Sequence, residues 1–177
     1  WNPAESGTGF VFEAQGATGV ATFFLYEDNG RPVWYSGSGA LSLDAQGRTQ
    51  FAATLLRFSG GQAAGSVLPR APAPREKGAL RIVFDGLSAQ VSLPGRSFNA
   101  VKFNASPTQG VAGVPEPGIY WSPHESGRGY TMEVANGAAM IGVFHYDDDG
   151  EPTWNLVQGA MAGGVLRAPF TRYQNGQ

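Results

Sequence analysis

Apolar and polar positions alternate with period two along most of the chain, and no stretch holds a 3.6-residue period. Ala89, Val91 and Leu93, set against Ser88, Gln90 and Ser92, show the pattern plainly. The alternation predicts strands over 9–15, 19–27, 32–41, 49–58, 79–84, 88–93 and 98–104, then over 129–135, 139–147, 152–161 and 165–173. Glycine-bearing turns separate them at intervals of roughly 8–12 residues, the spacing of an antiparallel barrel or sandwich.

The pattern repeats. Laying 1–41 over 121–161 without a gap gives 15 identical positions of 41. The shared skeleton is W-x-P-x-E-S-G-x-G-[FY]-x-[FM]-E, then F-x-Y-x-D-x-G-x-P-x-W, and it holds all four tryptophans: Trp1 with Trp121, and Trp34 with Trp154. Further on, Arg57 and Phe58 match Arg172 and Tyr173 at a shift of 115, so five residues have dropped from the intervening loop. The repeat sets the expected units. A first unit of seven or eight strands spans 1–106, a linker 107–117, and a shorter unit of four strands 118–177. The Pro-rich stretch Ala71–Gly78 is predicted to be a loop.

One hairpin can be built residue by residue. Tyr26–Pro32 has the composition of a type I turn closed by a glycine bulge, with Gly30 in the left-handed position. Phe24 then faces Trp34 and Tyr26 faces Pro32, so the four share one face. The second copy keeps all four, as Phe144, Tyr146, Pro152 and Trp154. The other face differs: Glu27 opposite Arg31 attract, whereas Asp147 opposite Glu151 repel.

Composition narrows the classes. The chain has 177 residues, 42% hydrophobic and 15% charged, with a net charge of −2. That balance gives no electrostatic hold on nucleic acid, and no apolar run is long enough for a membrane-spanning helix. With no cysteine, disulfides, thiolate metal sites and a cysteine nucleophile are excluded. The start at Trp1, with neither a basic nor an apolar leader region, points to a mature exported protein (secreted, periplasmic or at the cell surface) or to a trimmed chain.

The two strings Trp1–Trp34 and Trp121–Trp154 resemble a tandem repeat module of secreted, mostly uncharacterised proteobacterial proteins. The resemblance covers about two thirds of the chain and implies an exported, all-β bacterial module. It implies no activity for any particular residue. Strand order alone adds an analogy to the meandering, calycin-like barrels of avidins and lipocalins.

The candidate chemistry is duplicated too. Glu5 and Glu125 sit in the Glu-Ser-Gly turns, either presenting a carboxylate to a ligand's hydroxyls or binding N–H groups of their own turn. Glu13 and Glu133 alternate with Phe10 and Phe12, or Tyr130 and Met132. On an outer face they are solvated or paired with Arg57 or Arg172; inside a barrel either would be a buried acid, the candidate catalytic acid/base. Trp1, Trp121, Tyr26 and Tyr146, with Glu5 and Glu125, form the candidate ligand-binding set, since duplicated Trp and Tyr suit stacking on sugars or apolar surfaces. Trp34 and Trp154 read as hairpin core, packing on Phe24 and Phe144. His145, Asp147 and Glu151 share a face beside Asp148 and Asp149, the one acidic group a hard cation could use, but the spacing matches no known metal-binding loop and a solvated hairpin tip explains it without a metal. A Ser126–His124–Glu125 triad is ruled out, because adjacent residues in one turn cannot form the required line of hydrogen bonds. No nucleotide-binding, zinc-protease or serine-hydrolase motif occurs, and no cofactor is called for.

The reading is an all-β antiparallel meander barrel or sandwich built from a duplication with its second copy truncated. Its expected role is a non-catalytic extracellular binding module for glycan, surface polymer or protein. The alternatives are a Glu-dependent hydrolase or lyase, with Arg57 or Tyr26 as electrophilic partner, and a structural spacer. Four strands alone leave unpaired edges, so one repeat is expected to complete the other; the incomplete second unit makes an edge-strand homodimer the alternative.

Overall fold

The computed structural model describes residues 1–103 and 114–175. They form two antiparallel sheets curled into half-barrels, with no helix among the described residues. The first sheet is a meander of seven strands: β1 (Gly9–Gln15), β2 (Thr18–Tyr26), β3 (Pro32–Leu43), β4 (Thr49–Ser59), β5 (Ala73–Asp85), β6 (Ser88–Leu93) and β7 (Arg96–Val101). The second holds β8 (Gly118–Trp121), β9 (Gly129–Ala135), β10 (Ala138–Tyr146), β11 (Pro152–Ala162) and β12 (Val165–Leu166), again in chain order.

Three expectations need correction. The Pro-rich stretch is not a loop from Ala73 onward: β5 begins there and pairs Pro74 with Phe58 beyond a bulge at Leu55/Leu56. On its other side β6 pairs only Arg81–Asp85, so Ala73–Leu80 is an edge, where a residue without an N–H is tolerated. The second sheet has five strands rather than four, because Gly118–Trp121 pairs with β9. The strand predicted over 165–173 reduces to Val165–Leu166 plus a bridge between Thr171 and Leu156; Pro169 lies between the two and has no donor for the ladder. Of the linker 107–117, only 114–117 lies within the described residues.

Alternation builds the first core. Ala21, Phe23, Phe51, Leu80, Ile82 and Val91 point into the curl of β1–β7, with Phe10 and Phe12 against them. The opposite face of β2 and β3 would ordinarily meet water, yet it carries Phe24, Tyr26 and Trp34. The register is the predicted one, Phe24 opposite Trp34 and Tyr26 opposite Pro32. Gly30 closes the turn at φ 79°, and Gly150 closes its counterpart at φ 80°.

That aromatic face is where the two units meet, and the contacts are reciprocal. The Trp34 Nε1–H donates to the His145 carbonyl at 2.9 Å, and the Trp154 Nε1–H donates to the Leu25 carbonyl at 3.1 Å. Leu25 and His145 are repeat equivalents. Trp34 packs on Phe144 and Tyr146, while Trp154 packs on Phe24 and Tyr26. Trp34 stacks on Phe58, and Trp154 stacks on Tyr173. Even the turns exchange bonds: Gly60 N–H donates to the Gly150 carbonyl, and Asn175 N–H to the Gly30 carbonyl. The tryptophans are core, as expected, but each packs on the other copy's phenylalanine. Such self-matching contacts are those of an isologous dimer fused into one chain.

The charges complete themselves in the same way. The Arg31 guanidinium pairs with the Asp147 carboxylate at 3.0 Å rather than with that of Glu27. Arg57 bridges Glu27 at 2.9 Å and Glu151 at 2.5 Å. The like charges of the second hairpin are therefore neutralised by arginines of the first unit.

Candidate functional site

The sheets do not close against each other everywhere. β1 and β7 are the two ends of the first sheet and do not pair. Beside this open seam lies a cavity of about 620 Å³. Its first wall is Gly9–Phe12 of β1, the β5–β6 turn and the end of β7; its second is the β9–β11 face, with Trp154 and Leu156. Phe10, Phe12, Phe24, Phe84, Leu87 and Trp154 make the lining mainly apolar, and Lys102 and Glu133 are its charged side chains among the described residues.

Glu133 is the one candidate acid that the structure places in this cavity. It stands on β9 facing the first unit, because Thr131 and Glu133 alternate with Met132 and Val134. Burial raises its carboxyl above the ordinary carboxylate range, and the nearby Lys102 charge offsets part of that. Neither Glu133 nor Glu13 lines a barrel interior. Phe10 and Phe12 take the inward positions of β1, which sends Glu13 outward. There the Glu13 carboxylate accepts the Ile119 N–H of β8 at 2.7 Å, tying one unit to the other. Neither pairs with an arginine as sequence allowed: Arg57 is held by Glu27 and Glu151, and Arg172 is exposed. Arg57 and Tyr26 are also absent from the cavity wall, so neither is placed as an electrophilic partner for Glu133.

The Glu-Ser-Gly turns use their carboxylates at home. Asn2 accepts the Ala4 N–H and donates to Glu5, which also takes Arg96 at 2.7 Å. In the second turn Glu125 pairs with Arg128, and that bond holds its pKa low. Tyr146 is fully buried between the units, and its phenol pKa is raised by burial. Tyr26 is pushed up to about 12 by burial and by Tyr173. These tyrosines therefore belong to the inter-unit packing and offer no rim for a ligand. Trp121 is 65% exposed. Trp1 borders the cavity, lies edge-on to Phe103, and exchanges two backbone hydrogen bonds with Val101 of β7, at 2.8 and 2.9 Å.

His145, Asp147 and Glu151 do not converge. The His145 ring is buried between the Tyr146 carbonyl and Asn155, Asp147 takes Arg31, and Glu151 takes Arg57. No group of three such residues is positioned to hold a metal ion among the described residues.

No protein family, no curated protein and no solved structure matches the chain. What sequence reasoning missed is the seam cavity and its lysine, Lys102. The signal it had was the conservation between copies of an outward aromatic face, Phe24 with Tyr26 and Phe144 with Tyr146. A solvated face has no reason to keep four large rings.

Proposed function

We propose that the chain is a non-catalytic binding module of the cell exterior whose site is the cavity beside the β1/β7 seam. The observation that carries this is the cavity itself: about 620 Å³, walled by phenylalanine, leucine and tryptophan. Clefts of that size and lining are the ordinary form of binding sites. Among glycan, polymer and protein guests, the lining favours an apolar one, because its apolar side chains outnumber the hydroxyl, amide and charged ones. A catalytic reading has Glu133 in its favour. General acid/base chemistry on a bound substrate ordinarily uses a second positioned group, and neither Lys102 nor Tyr173 of the cavity wall is hydrogen-bonded to Glu133. A spacer has no use for the void.

Nile red, an apolar dye whose emission rises on leaving water, tests the site. The dye is expected to bind the wild-type chain and to lose its enhancement in Met140→Trp, which fills the cavity from the β10 wall. Equal enhancement in both proteins would place the dye elsewhere and remove the support for this site.

A further inference from the structure

The connection from β4 to β5, residues 60–72, lies apart from the seam cavity. Both of its ends are fastened. At the first end Ala63 bridges Tyr146, the Arg128 guanidinium donates to the Ala63 and Ala64 carbonyls, and the Gln62 amide donates to the Ser66 carbonyl. At the second end Pro72 lies so close to Gly127 that a Cβ there would strike its ring, and Ala73 enters the ladder opposite Ser59. Between these fastenings the chain stands out into solvent. Val67 is 89% exposed and Leu68 71%, and Pro69, Arg70 and Ala71 are exposed as well. Among the described residues, no hydrogen bond or ion pair holds 69–71.

The local sequence sets the shape of this stretch. Pro69 fixes its own φ and keeps Leu68 out of the helical region. Pro72 does the same to Ala71. The residues on either side of Arg70 are therefore confined to extended conformations, which is the form in which a protease cleft takes up its substrate. Arginine is the side chain selected by a specificity pocket with a carboxylate at its base. Exposed loop tips with few contacts are also where nicks fall.

We propose that Arg70–Ala71 is a processing site for an arginine-specific serine protease. Val67–Arg70 occupy the cleft ahead of the scissile bond, and Ala71 and Pro72 follow it. Hydrolysis breaks the C–N bond, joins the water oxygen to the Arg70 carbonyl carbon and sends a proton to the Ala71 nitrogen, leaving a carboxylate and an ammonium. Other arginines do not meet the same conditions. Arg31 is followed directly by Pro32, whose ring nitrogen makes a poor scissile bond. Arg75 is held opposite Arg57 in the β4–β5 ladder. Arg167 also precedes Ala-Pro, but Leu166 before it belongs to β12 and Ala168 after it lies against Gly159. The cut parts β1–β4 from β5–β7 in sequence only, because β4 and β5 stay paired from Ser59 and Ala73 to Gln50 and Val83. The processed chain is two pieces, 1–70 and 71–177, in one fold.

Trypsin at low ratio is the probe, acting on the full native chain, with fragments identified by mass and by the new amino terminus. The first cut is expected after Arg70, giving a fragment that begins at Ala71. The two pieces should elute together on gel filtration and keep the circular dichroism of the uncut chain. Arg70→Gln removes the charge the pocket reads and should slow that cut about tenfold or more. Ala71→Pro keeps the arginine but sets a proline after the scissile bond, and should slow it as much. Both side chains stand in solvent, so both variants should melt with wild type, which checks that they are folded. A first cut at another residue, many fragments appearing at once, or cutting of either variant at the wild-type rate would overturn the site. Separation of the two pieces on gel filtration would overturn the two-piece fold.

Discussion

Trp34→Phe asks whether the repeat signature is a lock between the two units. Trp34 is 2% exposed and its indole N–H reaches across to the His145 carbonyl, in a residue itself 8% exposed. Phenylalanine keeps an aromatic ring against Phe58, Phe144 and Tyr146 but has no donor. Leaving a buried carbonyl short of its partner costs roughly 1–3 kcal/mol. The smaller ring also leaves a void where packing was close, adding about 1 kcal/mol. The sum, about 2–4 kcal/mol, lowers the melting temperature by roughly 5–15 °C for a chain of this size. Chemical denaturation followed by Trp154 emission and by far-ultraviolet circular dichroism is the assay. Because the bond joins the units, both probes should shift together, and Trp154→Phe should reproduce the effect through the Leu25 carbonyl. A loss below about 0.5 kcal/mol, small for a buried hydrogen bond, would refute the reasoning. So would a separate transition for one unit while the other keeps its wild-type midpoint.

Gly61→Ala should destabilise by about 1–3 kcal/mol through overpacking, because a Cβ there would run into the fully buried Tyr146 ring; thermal melting reads it, and an unchanged midpoint would show that the interface can give way. The raised folded-state pKa of Glu133 predicts a pH effect of definite sign. Between its ordinary value of 4.5 and that raised value the folded state holds more proton than the unfolded, so stability falls as pH rises through that window. Glu133→Gln should therefore gain melting temperature over wild type at neutral pH and lose the advantage below about pH 4, where an ordinary glutamate is protonated in either state; a difference constant with pH would contradict it. Trp121→Phe should remove most of the red-shifted, iodide-quenchable emission, since Trp121 is 65% exposed while Trp34 and Trp154 are 2% and 5%; unchanged quenching would place that ring in the interior.

The sequence alone determined the local geometry. Strict alternation can bury one face only if the segment is a strand, so β1–β4, β6 and β9–β11 were legible to within a few residues. The Tyr26–Pro32 turn was legible because few residues tolerate the conformation Gly30 adopts, and its register followed from the turn. The Pro-rich start of β5 was not legible: whether a proline can join a sheet depends on which neighbour it lacks, and only the tertiary arrangement leaves Ala73–Leu80 an edge. The same holds for the candidate site. Sequence showed that Glu13 and Glu133 were equivalent and strange, but alternation gives only the side of the sheet, not what stands there. Packing two copies face to face put a β8 amide at one glutamate and an apolar void at the other. Those placements rest on contacts about a hundred residues apart in sequence, which local periodicity cannot carry.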